Sequence, residues 1–154
     1  MGLIITEVTR VDDVDGKGMP HQLGVTDLKH IGPLQQLTDT IHSYGTKLFI
    51  QLQHPGKEGM AALSAGRPLV APSAIPNSKG VMPRELSIQE IHQLVQKFIF
   101  GAKIAQLGGA DGVEIHAAPA TTIVQMNMGV LLKTGCVLLL RSFRESNRPV
   151  LVFL

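Results

Sequence analysis

Apolar residues run almost unbroken from Gly2 to Val11 (GLIITEVTRV), and several are β-branched. A strand covered on both faces reads this way. The next stretch, VDDVDGKGMPHQLG, has no apolar period and reads as a loop. Leu34, Leu37 and Ile41 then recur at helical spacing. Asp27 can cap that helix, Pro33 is tolerated in its first turn, and Gly45 supplies its stop. Lys47 to Gln53 (KLFIQLQ) alternates again, as a second strand. A Pro/Gly-rich stretch, Pro55 to Glu85, reads as a long loop of the kind that is usually functional. Ser87 and Glu90 form a capping box, S-x-x-E. Behind it Ile88, Ile91, Leu94, Val95, Phe98, Ile99 and Ala102 draw one apolar stripe. Gly108 and Gly109 end this helix, and Asp111 to Ala118 (DGVEIHAA) forms the third strand.

Strand, helix, strand, helix, strand at these lengths implies right-handed crossovers and a parallel α/β sheet. A doubly wound sheet and a closed barrel both satisfy the pattern. The dinucleotide signature G-x-G-x-x-G is absent after the first strand, which disfavours the doubly wound option.

Composition narrows the partners. The chain has 154 residues, 44% of them hydrophobic, enough for one domain with a core. A formal charge of +2 gives no reason to expect nucleic acid or an anionic membrane as partner. Cys136 is the only cysteine, so an internal disulfide or a cysteine metal cluster is excluded. That favours a reducing, cytoplasmic setting. The apolar run from Val130 to Leu140 is broken by Lys133 and is too short to span a bilayer. MGLIIT fits the loose myristoylation pattern through Gly2 and Thr6, but the strand-like residues continuing past it favour a buried strand.

Polar residues inside a parallel sheet need a reason. The pleat puts Gln51 and Gln53 on one face of their strand, with Ile50 and Leu52 opposite. It likewise puts Glu114 and His116 together, with Val113 and Ile115 opposite. Both polar pairs come late, and parallel strands hold ligands at their C-terminal ends. His54 follows directly and reads either as a loop residue or as a ligand contact. His21, His30, His42 and His92 read as ordinary solvated residues.

The ordered motifs GLIITEVTRV, QLQHPGK, APSAI, PREL and DGVEIHAA resemble the old yellow enzyme family of FMN-dependent ene-reductases. The resemblance covers roughly residues 2 to 118 and implies a (β/α)8 barrel, of which this chain holds about three parallel strands and two crossover helices. It implies FMN across the C-terminal mouth, NADH or NADPH as reductant, and hydride passing from the flavin to an electron-poor alkene, an enone or enoyl compound. Gln51 matches the family glutamine at the flavin's pyrimidine edge, a task suited to a group that both donates and accepts. His116 matches the first of two residues gripping the substrate carbonyl, where donors stabilise developing negative charge. Gln53 matches a position beside the substrate. Lys57 stands where many relatives have arginine. A homo-oligomer of the full-length parent is compatible with this reading.

The pattern then breaks. Pro119 and Thr121 stand where the family has its second carbonyl donor and its proton-donating tyrosine, and the only tyrosine, Tyr44, ends a helix. The residues after Ala118 instead fit the family in a shifted reading frame. Met has one codon, so Met126–Asn127 must encode Glu across their junction and Met128–Gly129 must encode Gly. Ile123 through Leu138 then permit RTDEYGGSLENRMRF. Residues 1–118 therefore read as the N-terminal part of an FMN-binding barrel, and 119–154 as an aberrant, out-of-frame tail without family structure. Such a chain is expected to aggregate or stay molten alone, to bind FMN poorly and to be inactive. Two other readings stand beside it: a metal-dependent hydrolase on a similar barrel using His54, Glu114 and His116 as ligands, and a non-enzymatic truncated or pseudogene product.

Overall fold

The computed structural model describes residues 2–116 and, as backbone, 150–153. The first apolar run does not form one strand. It divides into β1 (Leu3–Ile5) and β2 (Thr9–Arg10), both parallel to β3 (Lys47–Gln53). From Ile5↔Phe49 to Thr9↔Leu52 the first line advances four residues while β3 advances three. One residue is therefore extra, as in a bulge. Thr6 bridges the gap: its N–H donates to Phe49 O, and its Oγ1 accepts from Gln51 N. β1 was expected to be covered on both faces. Instead Leu3, Ile4 and Ile5 keep 48%, 46% and 38% of their surface exposed. β1 lies at a sheet edge, with no strand on its outer side among the described residues.

Asp27 caps as expected, but it caps a short 3-10 turn, Leu28–His30, that leads into α1 (Ile31–Ser43). His30 is not merely solvated: its Nδ1 accepts from the N–H groups of Thr26 and Asp27 and completes the capping box. Gly45 stops the helix at φ 69°, a conformation that costs a side-chain-bearing residue.

The stretch Pro55–Glu85 is more ordered than a plain loop. It holds α2 (Met60–Ser64) and a small parallel pair, β4 (Val70–Ala71) with β5 (Arg84–Glu85). Buried Asn77 organises the turn between them: its Oδ1 accepts from Lys79 and Val81 N–H, and its Nδ2 donates to Lys57 O.

α3 (Ile88–Leu107) starts with the expected reciprocal bonds, Glu90 N to Ser87 Oγ at 3.2 Å and Ser87 N to Glu90 Oε2 at 2.8 Å. Ile91, Leu94, Val95, Phe98 and Ala102 are buried as the stripe requires, while Ile88 at the entry is exposed. Gly101 lets the helix approach the loop, since a Cβ there would meet Val25 and Val11 at 3.0 and 3.1 Å.

β6 (Gly112–His116) pairs parallel with β3, from Phe49↔Gly112 to Leu52↔Ile115. β7 (Val150–Phe153) pairs parallel with β6 on its other side. The sheet order is β1-β3-β6-β7, with β2 extending the line of β1. Val150–Phe153 thus take the next strand position, where the sequence suggested a tail without barrel structure. Ala118, Pro119, Thr121, Cys136 and the frame-shifted stretch Ile123 to Leu138 lie outside the described residues.

The core lies on one side of the sheet. Leu48, Ile50, Leu52, Val113 and Ile115 pack with Leu94, Val95, Phe98, Ala102, Ile104 and Ala105 of α3. Ile31, Leu34 and Ile41 of α1 join the same cluster. Both crossover helices therefore cover one face. A closed barrel keeps all its helices outside in this way, and each half of a doubly wound sheet also keeps its helices on one side, so the arrangement is common to both.

Candidate functional site

Because α1 and α3 cover the face of Ile50 and Ile115, the pleat turns Gln51, Gln53, Glu114 and His116 to the opposite face, which is the inner one in a closed barrel. Gln51 and Glu114 are register partners. Gln51 Nε2 donates to Glu114 Oε1 at 2.8 Å, so the carboxylate is satisfied although buried. The half-buried Gln51 keeps its Oε1 and second Nε2 proton for other partners.

His116 ends β6 and is half-buried. Extending the Leu52↔Ile115 register by one residue sets it beside Gln53. Gln53 is itself buried, and its Oε1 accepts from Gln22 Nε2 at 3.1 Å. Nothing in the local pattern singles out Gln22, which lies 31 positions earlier in an irregular loop. Only an unpaired amide on the inner face could have prompted a search for its partner.

His54 does not join Glu114 and His116. Its ring is buried, with Nδ1 accepting from Gly56 N at 3.2 Å and Nε2 lying 3.7 Å from Asp12 Oδ2. Lys97 Nζ donates to the same Asp12 oxygen at 2.7 Å, and Val14 N donates to the other. Burial works to raise the pKa of Asp12. The interactions with His54, Lys97 and Val14 outweigh it and hold the carboxyl far below the usual range. Asp12, Asp15, His54, Arg84, Glu90 and Lys97 line a polar cavity of about 80 Å³. Among the described residues, no three His, Cys, Asp or Glu side chains could hold a metal ion. The ligand set His54, Glu114, His116 is thus not assembled.

Lys57 follows the strand in a 3-10 turn, with Nζ 3.4 Å from Pro76 O. Tyr44 follows α1, just before β3 begins, and is 82% exposed. It sits at the strand end opposite to His116. Asp111 occupies that opposite end too, bonded to His42 Nε2 at 2.6 Å, Lys47 Nζ at 2.8 Å and Leu48 N at 3.0 Å. His42, expected to be merely solvated, thus ties α1 to the sheet. No helix among the described residues is long and apolar enough to cross a membrane.

Comparison with known proteins places the fold and the family. The family model described as the NADH:flavin oxidoreductase / NADH oxidase family matches residues 1–125. An NADH oxidase of Thermoanaerobacter brockii is 40% identical over 126 residues, covering 81% of this chain and 19% of that protein. A cinnamate reductase of Clostridium sporogenes is 37% identical over 122 residues, covering 75% of this chain and 18% of that protein. Among solved structures, an old yellow enzyme homologue from Zymomonas mobilis superposes with a TM-score of 0.80 at 26% identity. That match covers 97% of this chain and 49% of the other. The chain thus spans under a fifth of these two curated relatives and about half of that structure.

Proposed function

This chain belongs to the NADH:flavin oxidoreductase / NADH oxidase family and folds as part of a (β/α)8 barrel, and on that premise we propose that it is a portion of an FMN-dependent, NAD(P)H-linked oxidoreductase reducing the C=C bond of α,β-unsaturated carbonyl compounds. The observation carrying this reading is the shared inner face of Gln51 and His116, late on two adjacent strands. The name of the Clostridium relative, whose substrate is an unsaturated carboxylate, agrees with it.

The residues fit the cofactor. Gln51 offers an acceptor and a donor in one plane, matching the imide edge of a flavin. Glu114 holds that amide in place by accepting a hydrogen bond from its other N–H. Bound FMN would supply the two-electron reduction, with NADH or NADPH as the electron source and one further proton completing the saturated product. His116 donates to the substrate carbonyl and stabilises the charge that develops on its oxygen. Gln53 stands beside it at the same mouth. The proton does not come from Tyr44, which lies at the other strand end.

The chain alone provides one wall of this site, so FMN affinity is weak and turnover is absent. Saturation-transfer NMR at millimolar FMN is expected to show flavin protons receiving magnetisation from the chain, and Gln51→Leu to reduce that transfer severalfold. Equal transfer in the variant, or none in either protein, would refute the reading. Residues 119–154 are assigned to an out-of-frame tail, whose last four described residues still extend the sheet. The coding DNA across Ala118 tests this, and an in-frame gene with no family string in the shifted frame would refute it.

A further inference from the structure

The loop after β2 sends Gln22 into the sheet, where it is 4% exposed. Its amide cannot be turned over, because each neighbour has only one role. Val8 O, 3.0 Å from Nε2, only accepts. Gly18 N–H, 2.8 Å from Oε1, only donates. The network therefore assigns oxygen and nitrogen without ambiguity. The remaining N–H of Gln22 meets Gln53, so the atom of Gln53 at 3.1 Å must be its oxygen. Gln53 Nε2 then takes the other direction; among the described residues no hydrogen bond to protein engages it, and it is not sealed from solvent.

We propose that Gln22 is a positioning residue that makes Gln53 present an N–H donor beside His116, selecting substrates that carry a second hydrogen-bond acceptor besides the carbonyl held by His116. This rests on reading the inner face as the substrate mouth. The selectivity follows from the cost of an unpaired polar group. A second carbonyl or carboxylate oxygen satisfies the Gln53 donor, an apolar substituent leaves it without a partner, and one hydrogen bond corresponds to about fivefold in affinity.

The test compares cyclohex-2-enone with cyclohex-2-ene-1,4-dione, which differs by one acceptor. Affinities are measured by saturation-transfer NMR on the full chain with millimolar FMN. The dione is expected to bind the native chain about fivefold more tightly than the enone. Gln22→Leu and Gln53→Leu should each bring that ratio near one, and the double variant should add nothing further. Gln53→Leu leaves the bonds of Gln22 to Val8 and Gly18 intact, so it reports even where Gln22→Leu unsettles the loop. A native ratio of one, a ratio unchanged in Gln53→Leu, or a Gln22→Leu variant that weakens both probes alike would overturn the proposal. Those outcomes, with FMN and enone signals present, leave the wider functional reading standing. Absence of transfer to FMN and to both probes would overturn both.

Discussion

Replacing Asp111 by Asn removes the charge that fastens the N-terminal end of the sheet. In the native chain the carboxylate is 15% exposed and receives bonds from Lys47, Leu48 N–H and His42. Burial works to raise its pKa, and these three bonds overcome it, lowering the group from 3.8 to about 2. The folded pKa lies below the unfolded one. The stabilisation is therefore complete above about pH 4 and is lost as the pH falls through about 2. The full shift corresponds to about 2.4 kcal/mol at 1.36 kcal/mol per unit. Screening of a pair open to solvent at Lys47 reduces this to roughly 1–2 kcal/mol. Urea unfolding at pH 7 and low protein concentration should show Asp111→Asn less stable by that amount. About half the difference should be gone at pH 3, and almost none should remain at about pH 1. A difference independent of pH, or a variant as stable as the native chain at pH 7, would refute the reasoning.

Two further outcomes are expected. Ser87→Ala deletes half of the reciprocal cap on α3 and should cost about 1 kcal/mol by urea unfolding; no loss would mean that the last turn before α3 is held by other contacts. Ile4→Lys places a charge on the exposed edge of β1 and should lower concentration-dependent association in light scattering; unchanged association would locate the sticky surface elsewhere.

Much of the architecture was legible in the chain because it rests on local periods. The capping box at Ser87 and the apolar stripe behind it required only helical spacing. The alternation in KLFIQLQ and GVEIH separated Gln51, Gln53, Glu114 and His116 from their apolar neighbours before any packing was known. The first strand was misread because its composition reports the burial it is suited for, whereas its exposure depends on whether another strand lies beside it. The long loop hid β4 and β5, since two-residue strands carry no period.

The candidate site divides in the same way. Sequence alone put four polar side chains on one face, because the pleat has a period of two and nothing else is needed. Which face that was depended on where α1 and α3 came to rest, and only their shared contact with Ile50 and Ile115 makes it the inner one. The partners were decided by the tertiary structure throughout. Gln22 reaches Gln53 across 31 positions, His42 reaches Asp111 across 69, and Lys97 reaches Asp12 across 85. No local pattern encodes such distances. They are set when burial leaves each polar group a single direction in which its hydrogen bond can be made.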